Sequence, residues 1–132
     1  PRLEGAMTAQ RQRTGRLAEE LVARRLAAAG WEIVARNART RHGELDIVAR
    51  DGRELVFVEV KAVRAGGARG PRRPVHAVDP RKRRRVRRLA AAWLADHRDR
   101  PYAERIRFDA VGVTFDRDGR RVLEVEHLRA AF

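Results

Sequence analysis

The sequence contains no cysteine in 132 residues. That excludes a disulfide scaffold, a thiolate zinc site, a thiol nucleophile and an iron–sulfur cluster. It fits a reducing, cytoplasmic setting. Aromatic residues make up only 5% of the chain, so few platforms exist for stacking exposed bases. Trp31, Trp93 and most of the phenylalanines read as core, which leaves Tyr102 free. No apolar run approaches the roughly 18 residues that a membrane span needs. The start is polar from Thr8 to Arg16, unlike a signal peptide. Lysine is almost missing as well: Lys61 and Lys82 are the only two among 31 basic residues.

What is present is arginine. The formal net charge is +13, a field that attracts polyanions, nucleic acid first. The length suits one domain with a core of its own. Met7 is the one methionine, so residues 1–6 read as an appended remnant and 8–132 as a single domain.

Periodicity divides the chain into seven elements. Residues 10–29 read as a helix, with Leu17, Ala18, Leu21, Val22 and Leu26 at helical spacing and Gly30 as its stop. Residues 31–36 are a short strand. Residues 45–49 and 55–60 are β-branched runs joined through Asp51-Gly52, a hairpin signal. A long loop with three glycines and two prolines covers 63–79. Asp79-Pro80 then caps and opens a second helix, whose apolar stripe is Val86, Leu89, Ala90, Trp93 and Leu94. Residues 106–115 and 121–128 are two more strands. The order α-β-β-β-α-β-β predicts an α/β fold, a mixed sheet of about five strands flanked by helices.

The central hairpin carries the chemistry. With Asp51-Gly52 as the two turn residues, Glu44 falls opposite Glu59 and Asp46 opposite Phe57, diagonal to Glu59. Lys61 shares their face, because side chains alternate along a strand. One face thus gathers Glu44, Asp46, Glu59 and Lys61. The other carries Leu45, Ile47, Val56, Val58 and Val60 as core. Clustered carboxylates need a counter-charge, and hard oxygen donors suit Mg²⁺ or Mn²⁺. Asp46 and Glu59 would hold the ion with the Val60 carbonyl, and Glu44 stands beside them. Such a site would polarise a phosphodiester and activate water, with Lys61 orienting that water or neutralising the phosphate. Glu19, at the edge of the first helix's apolar stripe, could join them. The same pattern would also serve as a solvent-face ladder of ion pairs. His42 reads as a loop histidine.

The residues resemble a known family. Gly15, Ala18-Glu19, Ala23, Leu26, Gly30, Arg36-Asn37, Gly43-Glu44-Leu45-Asp46, Val56-Phe57-Val58-Glu59-Val60-Lys61, Lys82 and Arg107-Phe108-Asp109 stand where the small bacterial YraN-like proteins have them. That family looks like a branch of the PD-(D/E)XK nucleases, near the archaeal Holliday junction resolvases. The resemblance implies a restriction-endonuclease-like core. It also implies a metal site of Asp46 and Glu59, with Lys61 beside it and Glu19 from the helix. Leu45 stands where the superfamily motif has proline. Resemblance to the resolvases further implies a homodimer, since a two-fold substrate suits paired sites.

From Arg81 to Arg88 every residue but Val86 is basic. So many cations at a helix N-terminus oppose the helix dipole unless a polyanion sits there. Arg81, Lys82, Arg84, Arg85 and Arg88 form the expected track, extended by Arg69, Arg72 and Arg73 in the preceding loop. No base-reading helix is evident, so shape recognition is expected. Three functions compete: a Mg²⁺-dependent endonuclease on DNA, favouring branched forms; a non-catalytic DNA- or RNA-binding module; and a basic partner of an acidic protein.

Overall fold

The computed structural model describes residues 2–66 and 79–132, with side chains from residue 9 onward. Its elements are α1 (Arg2–Ala28), β1 (Glu32–Thr40), β2 (Gly43–Asp51), β3 (Glu54–Arg64), α2 (Pro80–Asp96), β4 (Arg105–Phe115) and β5 (Val122–Leu128). The expected order stands. Helix α1 starts at Arg2 rather than at residue 10, so residues 2–6 are helical too. Strand β1 runs on to Thr40, because Arg36 to Thr40 continue the ladder with β2. Among the described residues no helix is long and apolar enough to cross a membrane.

The five strands lie in sequence order, β1-β2-β3-β4-β5. All neighbours are antiparallel except β3 and β4, which are parallel. A parallel pair needs a crossover connection, and α2 lies within it. The two helices cover opposite faces of the sheet. Under α1, Ala18, Val22, Ala23 and Leu26 pack on Ile47, Ala49, Val56, Val58, Val111 and Val113. Under α2, Val86, Leu89, Ala90 and Trp93 pack on Leu45, Val48, Leu55 and Phe57. The α2 stripe is therefore as the spacing predicts. Leu17 is not core: it is 44% exposed, because the buried line of α1 runs Thr14, Ala18, Val22 and Leu26.

The hairpin turn is displaced by one residue. Asp51 pairs with Glu54, so Gly52-Arg53 are the turn residues, and Gly52 takes the left-handed φ of +59° that a tight hairpin turn requires. The register moves by two, which preserves the faces but changes the neighbours. Glu44 no longer faces Glu59, and continuing the register past the last pair, Ile47–Val58, sets Asp46 opposite Glu59. The acidic face is also not a solvent face. Val48, Leu55 and Phe57 share it and are buried, since α2 roofs it. Leu45 joins that α2-side cluster rather than the α1 side, because β2 parts from β3 before Ile47.

A buried polar network pins the far half of the sheet. Asp109, 0% exposed, accepts from Arg107 Nε at 2.9 Å, Arg107 Nη2 at 3.0 Å and the Ala130 N–H at 3.0 Å. The His127 ring Nε2 lies 2.8 Å from Oδ2, the oxygen that Arg107 Nη2 also reaches. Arg107 also reaches Glu54 at 3.1 Å and Asp51 at 3.3 Å, and its guanidinium lies over the Trp31 ring.

Candidate functional site

The site is a fork in the sheet. Ladder pairing between β2 and β3 ends at Ile47–Val58, and beyond it Asp46 fills the gap. Asp46 Oδ2 accepts the Val60 N–H at 2.8 Å, taking up a donor that the parting strands would otherwise leave unpaired. The neighbouring strand is distorted at the same level. Pairs Arg36–Ile47 and Ala38–Leu45 bracket Asn37, whose φ is +48°. Asparagine tolerates this left-handed backbone better than other residues with a side chain. Irregularities of this kind gather where a strand must re-aim a side chain.

Asp46 is the middle of a chain of carboxyl groups. The carboxyl groups of Glu19, from α1, and of Glu59, from β3, lie close enough to act on it from two sides. Burial pushes the Glu19 carboxyl up to about 7, reinforced by the charge of Asp46 and its hydrogen bond, and by the charge of Glu44. Burial and the Asp46 charge push Glu59 up to about 7 as well, against the nearby positive charge of Lys82 and Arg85. Asp46 is raised too, by burial, although the Val60 N–H draws it down. Contact between carboxyl groups therefore requires shared protons or an outside cation.

Lys82 supplies part of that cation. Its Nζ lies 3.7 Å from Glu59 Oε1, with side chains 25% and 20% exposed respectively. Lys82 was expected only in the phosphate track. Its register with Val86, Leu89 and Trp93, at i+4, i+7 and i+11, was the available signal that it faces the sheet. Lys61 is exposed, and Glu44 is exposed at the rim. Glu19, Asp46 and Glu59 come together, with Val60 bound to Asp46, while Glu44 and Lys61 flank them. Arg36, not anticipated, adds positive charge near Glu19.

The donors are of the type a hard divalent ion takes: carboxylate oxygens that repel one another when ionised. Among the described residues no three histidine, cysteine or acidic side chains are placed to hold a metal ion together, so at most two carboxylates could do so as they stand. A stability signature follows. Glu19 and Glu59 have folded-state values above their ordinary 4.5, so folding takes up protons between about 4.5 and about 7. In EDTA the penalty should develop as pH rises through that window and be complete above it. The melting temperature of the wild type should fall from pH 5.5 to 8 relative to Asp46→Asn, and Mg²⁺ should restore it. Parallel melting curves for the two proteins would refute the coupling.

Outside the fork, α2 presents arginine. Asp79 caps the helix, its carboxylate accepting the Lys82 N–H at 2.8 Å, and Pro80 opens it as expected. Arg81, Arg84, Arg85 and Arg88 are exposed on one outward face. Arg69, Arg72 and Arg73 lie outside the described residues. Tyr102 is 78% exposed, while both tryptophans are buried. An open cavity of about 200 Å³ under the end of α1, floored by Trp31 and His127, is lined by none of the fork's carboxylates.

A strand fork holding acidic side chains, between a helix that adds a third and a helix of arginines, defines an α/β protein with a candidate acidic site. Comparison with known proteins gives the family. The model of the Uncharacterised protein family UPF0102 matches residues 18–113. A UPF0102 protein of Parafrankia sp. (strain EAN1pec) is 50% identical over 123 residues, covering 92% of this chain and 97% of its own. One from Nocardia farcinica is 47% identical over 127 residues, covering 96% and 94%. One from Anaeromyxobacter dehalogenans is 49% identical over 122 residues, covering 92% and 85%. The chain belongs to the UPF0102 family, the YraN-like proteins that its motifs resemble.

Proposed function

We propose that the protein is a cytoplasmic, divalent-metal-dependent endonuclease of the PD-(D/E)XK type, cutting DNA phosphodiesters with a preference for branched structures. The carrying observation is Asp46 in the fork, fixed by the Val60 N–H and close to Glu19 and Glu59, beneath a basic helix whose Lys82 pairs with Glu59. Asp46, Glu59 and the Val60 carbonyl would hold Mg²⁺ or Mn²⁺, with Glu44 at the rim, and the ion when bound supplies a Lewis acid for water and phosphate.

The chain's own residues do the rest. The Val60 N–H fixes one oxygen of Asp46 and so leaves the other to face the site. Glu19, held near neutrality, can take or return a proton beside Asp46. Lys61, exposed next to the fork, can reach a phosphate oxygen or the attacking water. The arginines of α2 hold the backbone on either side. Arg81 and Arg88 are separated by seven residues, or about 10 Å of helix rise, enough to bridge neighbouring phosphates. Few exposed aromatics and no base-reading element favour recognition of shape. A homodimer would pair two such sites on a two-fold substrate.

The deciding assay is cleavage of a fluorescent panel (single strand, duplex, flap, four-way junction, RNA hairpin) in Mg²⁺, Mn²⁺ or EDTA, wild type beside Lys61→Ala. Metal-dependent cutting by wild type, lost in the variant, is expected. No cutting of any member would refute the enzyme.

A second reading is favoured by one observation: the carboxyl groups form a chain rather than a closed cage among the described residues. It is a non-catalytic DNA- or RNA-binding protein on the same framework. Either reading predicts the same electrostatics. Replacing Arg84, Arg85 and Arg88 by glutamine should flatten the slope of log K against log salt by roughly 2.7 units, at about 0.9 per lost phosphate contact. An unchanged slope in a filter-binding titration would remove α2 from the binding face.

A further inference from the structure

We infer that Lys82 is the resident counter-cation of the carboxyl fork, and that a divalent ion entering the fork releases it to a bound phosphate. Metal binding and DNA binding would then reinforce each other through this side chain. The inference rests on the reading of the fork as a metal site and goes beyond it.

Helix geometry aims Lys82 inward. It continues the line of Val86, Leu89 and Trp93, all buried against the sheet, one turn before the first of them. Its neighbours Arg81, Arg83 and Arg84 are exposed. The basic run thus has two destinations: outward arginines, and one inward lysine at the end nearest the fork. Its charge acts on Asp46 as well as on Glu59.

The contact is poised for exchange. At 3.7 Å, the Nζ to Oε1 separation is longer than the roughly 2.7–2.9 Å of a charge-assisted hydrogen bond. The attraction is Coulombic, without a geometry that must be broken. Lysine suits this role, being a compact charge on a flexible stem with freely rotating donors. A divalent cation on the same carboxylates would repel the ammonium at close range. Once released, Lys82 lies on the helix whose exposed arginines form the proposed phosphate track. Arg85 and Arg36 act on Glu59 and Glu19 through their charge, but among the described residues the direct ion pair to the fork is that of Lys82 with Glu59, so Lys82 is the cation placed to exchange.

Linkage makes the inference testable, because whatever the ion does to DNA affinity, DNA must do to ion affinity. Mn²⁺ binding to the full chain, followed by electron paramagnetic resonance, should depend on Asp46. Lys82→Gln should bind Mn²⁺ about tenfold more tightly than wild type, within the usual range of coupling energies. In fluorescence anisotropy, Ca²⁺ should tighten four-way-junction binding by wild type several-fold and leave Lys82→Gln unchanged. Lys82→Arg, which keeps the charge, should retain the coupling, and melting curves confirm that both variants fold.

Mn²⁺ affinity that Lys82→Gln leaves unchanged or weakens would overturn the exchange role while the metal site stands. Mn²⁺ binding that is absent, or indifferent to Asp46→Ala, would overturn the metal reading and this inference with it.

Discussion

Replacing Asp46 by alanine is expected to lower metal-dependent cleavage by at least about 10³-fold, since a catalytic ion supplies several kcal/mol of transition-state stabilisation. In EDTA, DNA binding should change less than about threefold, because the arginines that meet phosphate lie on α2 and not in the fork. The fold should survive. The variant leaves the Val60 N–H without its acceptor, a cost of about 1–3 kcal/mol. It also relieves the crowding that raises Glu19 and Glu59, which offsets part of that cost. Asp46→Asn separates the two effects, for it keeps an oxygen to accept the Val60 N–H but removes the charge. Both variants should be inactive, and only Asp46→Ala should lose that hydrogen bond. Equal cleavage by wild type and both variants would trace the activity to a contaminant.

The largest effect on stability is expected at Asp109, where Asp109→Ala should cost about 3–5 kcal/mol. The carboxylate is fully buried, and its removal strands Arg107 and the Ala130 N–H together. Because Arg107 also bonds Glu54 and Asp51 beside the β2–β3 turn and lies over Trp31, the loss spreads across both ends of the sheet. Burial by itself would raise the Asp109 carboxyl. The hydrogen bonds from His127, Arg107 and the Ala130 N–H outweigh burial and hold it below its ordinary value of 3.8. The stabilisation is therefore full above about pH 4 and is lost as pH falls through the depressed folded value. Urea denaturation should show a large drop in midpoint for Asp109→Ala at pH 7, and a gap to wild type that narrows in strong acid. An unfolding free energy within about 1 kcal/mol of wild type would show that the network is dispensable.

Much of the candidate site was legible in sequence because its signals are local. Strand alternation sets Glu59 and Lys61 on one face whichever residue leads the turn, but Leu45 packs on the α2 side, so Asp46 reaches both Glu19 and Glu59 only because β2 parts from β3 there. The turn itself was one residue off, because Asp51-Gly52 and Gly52-Arg53 both place a glycine where a positive φ is needed. Leu17 shares the helical spacing of the α1 stripe, yet it lies about 100° around the helix from Ala18 and is exposed.

The remainder depended on contacts between distant elements. Elementary periodicity determined two amphipathic helices, five strands, the Asp79 cap and a strongly basic helix start, because each depends on residues a few positions apart. Tertiary structure alone decided that α2 would roof the acidic face, that β3 and β4 would pair in parallel, and that β2 would part from β3 at Asp46. It alone brought Glu19 and Lys82 to the fork from separate helices, and joined Arg107, Asp109 and His127 across β4 and β5. The reason is physical. A periodic pattern says which side of an element must be buried, but the element that buries it is chosen by the packing of the whole chain, and charges buried by that choice acquire partners and proton affinities that no local pattern contains.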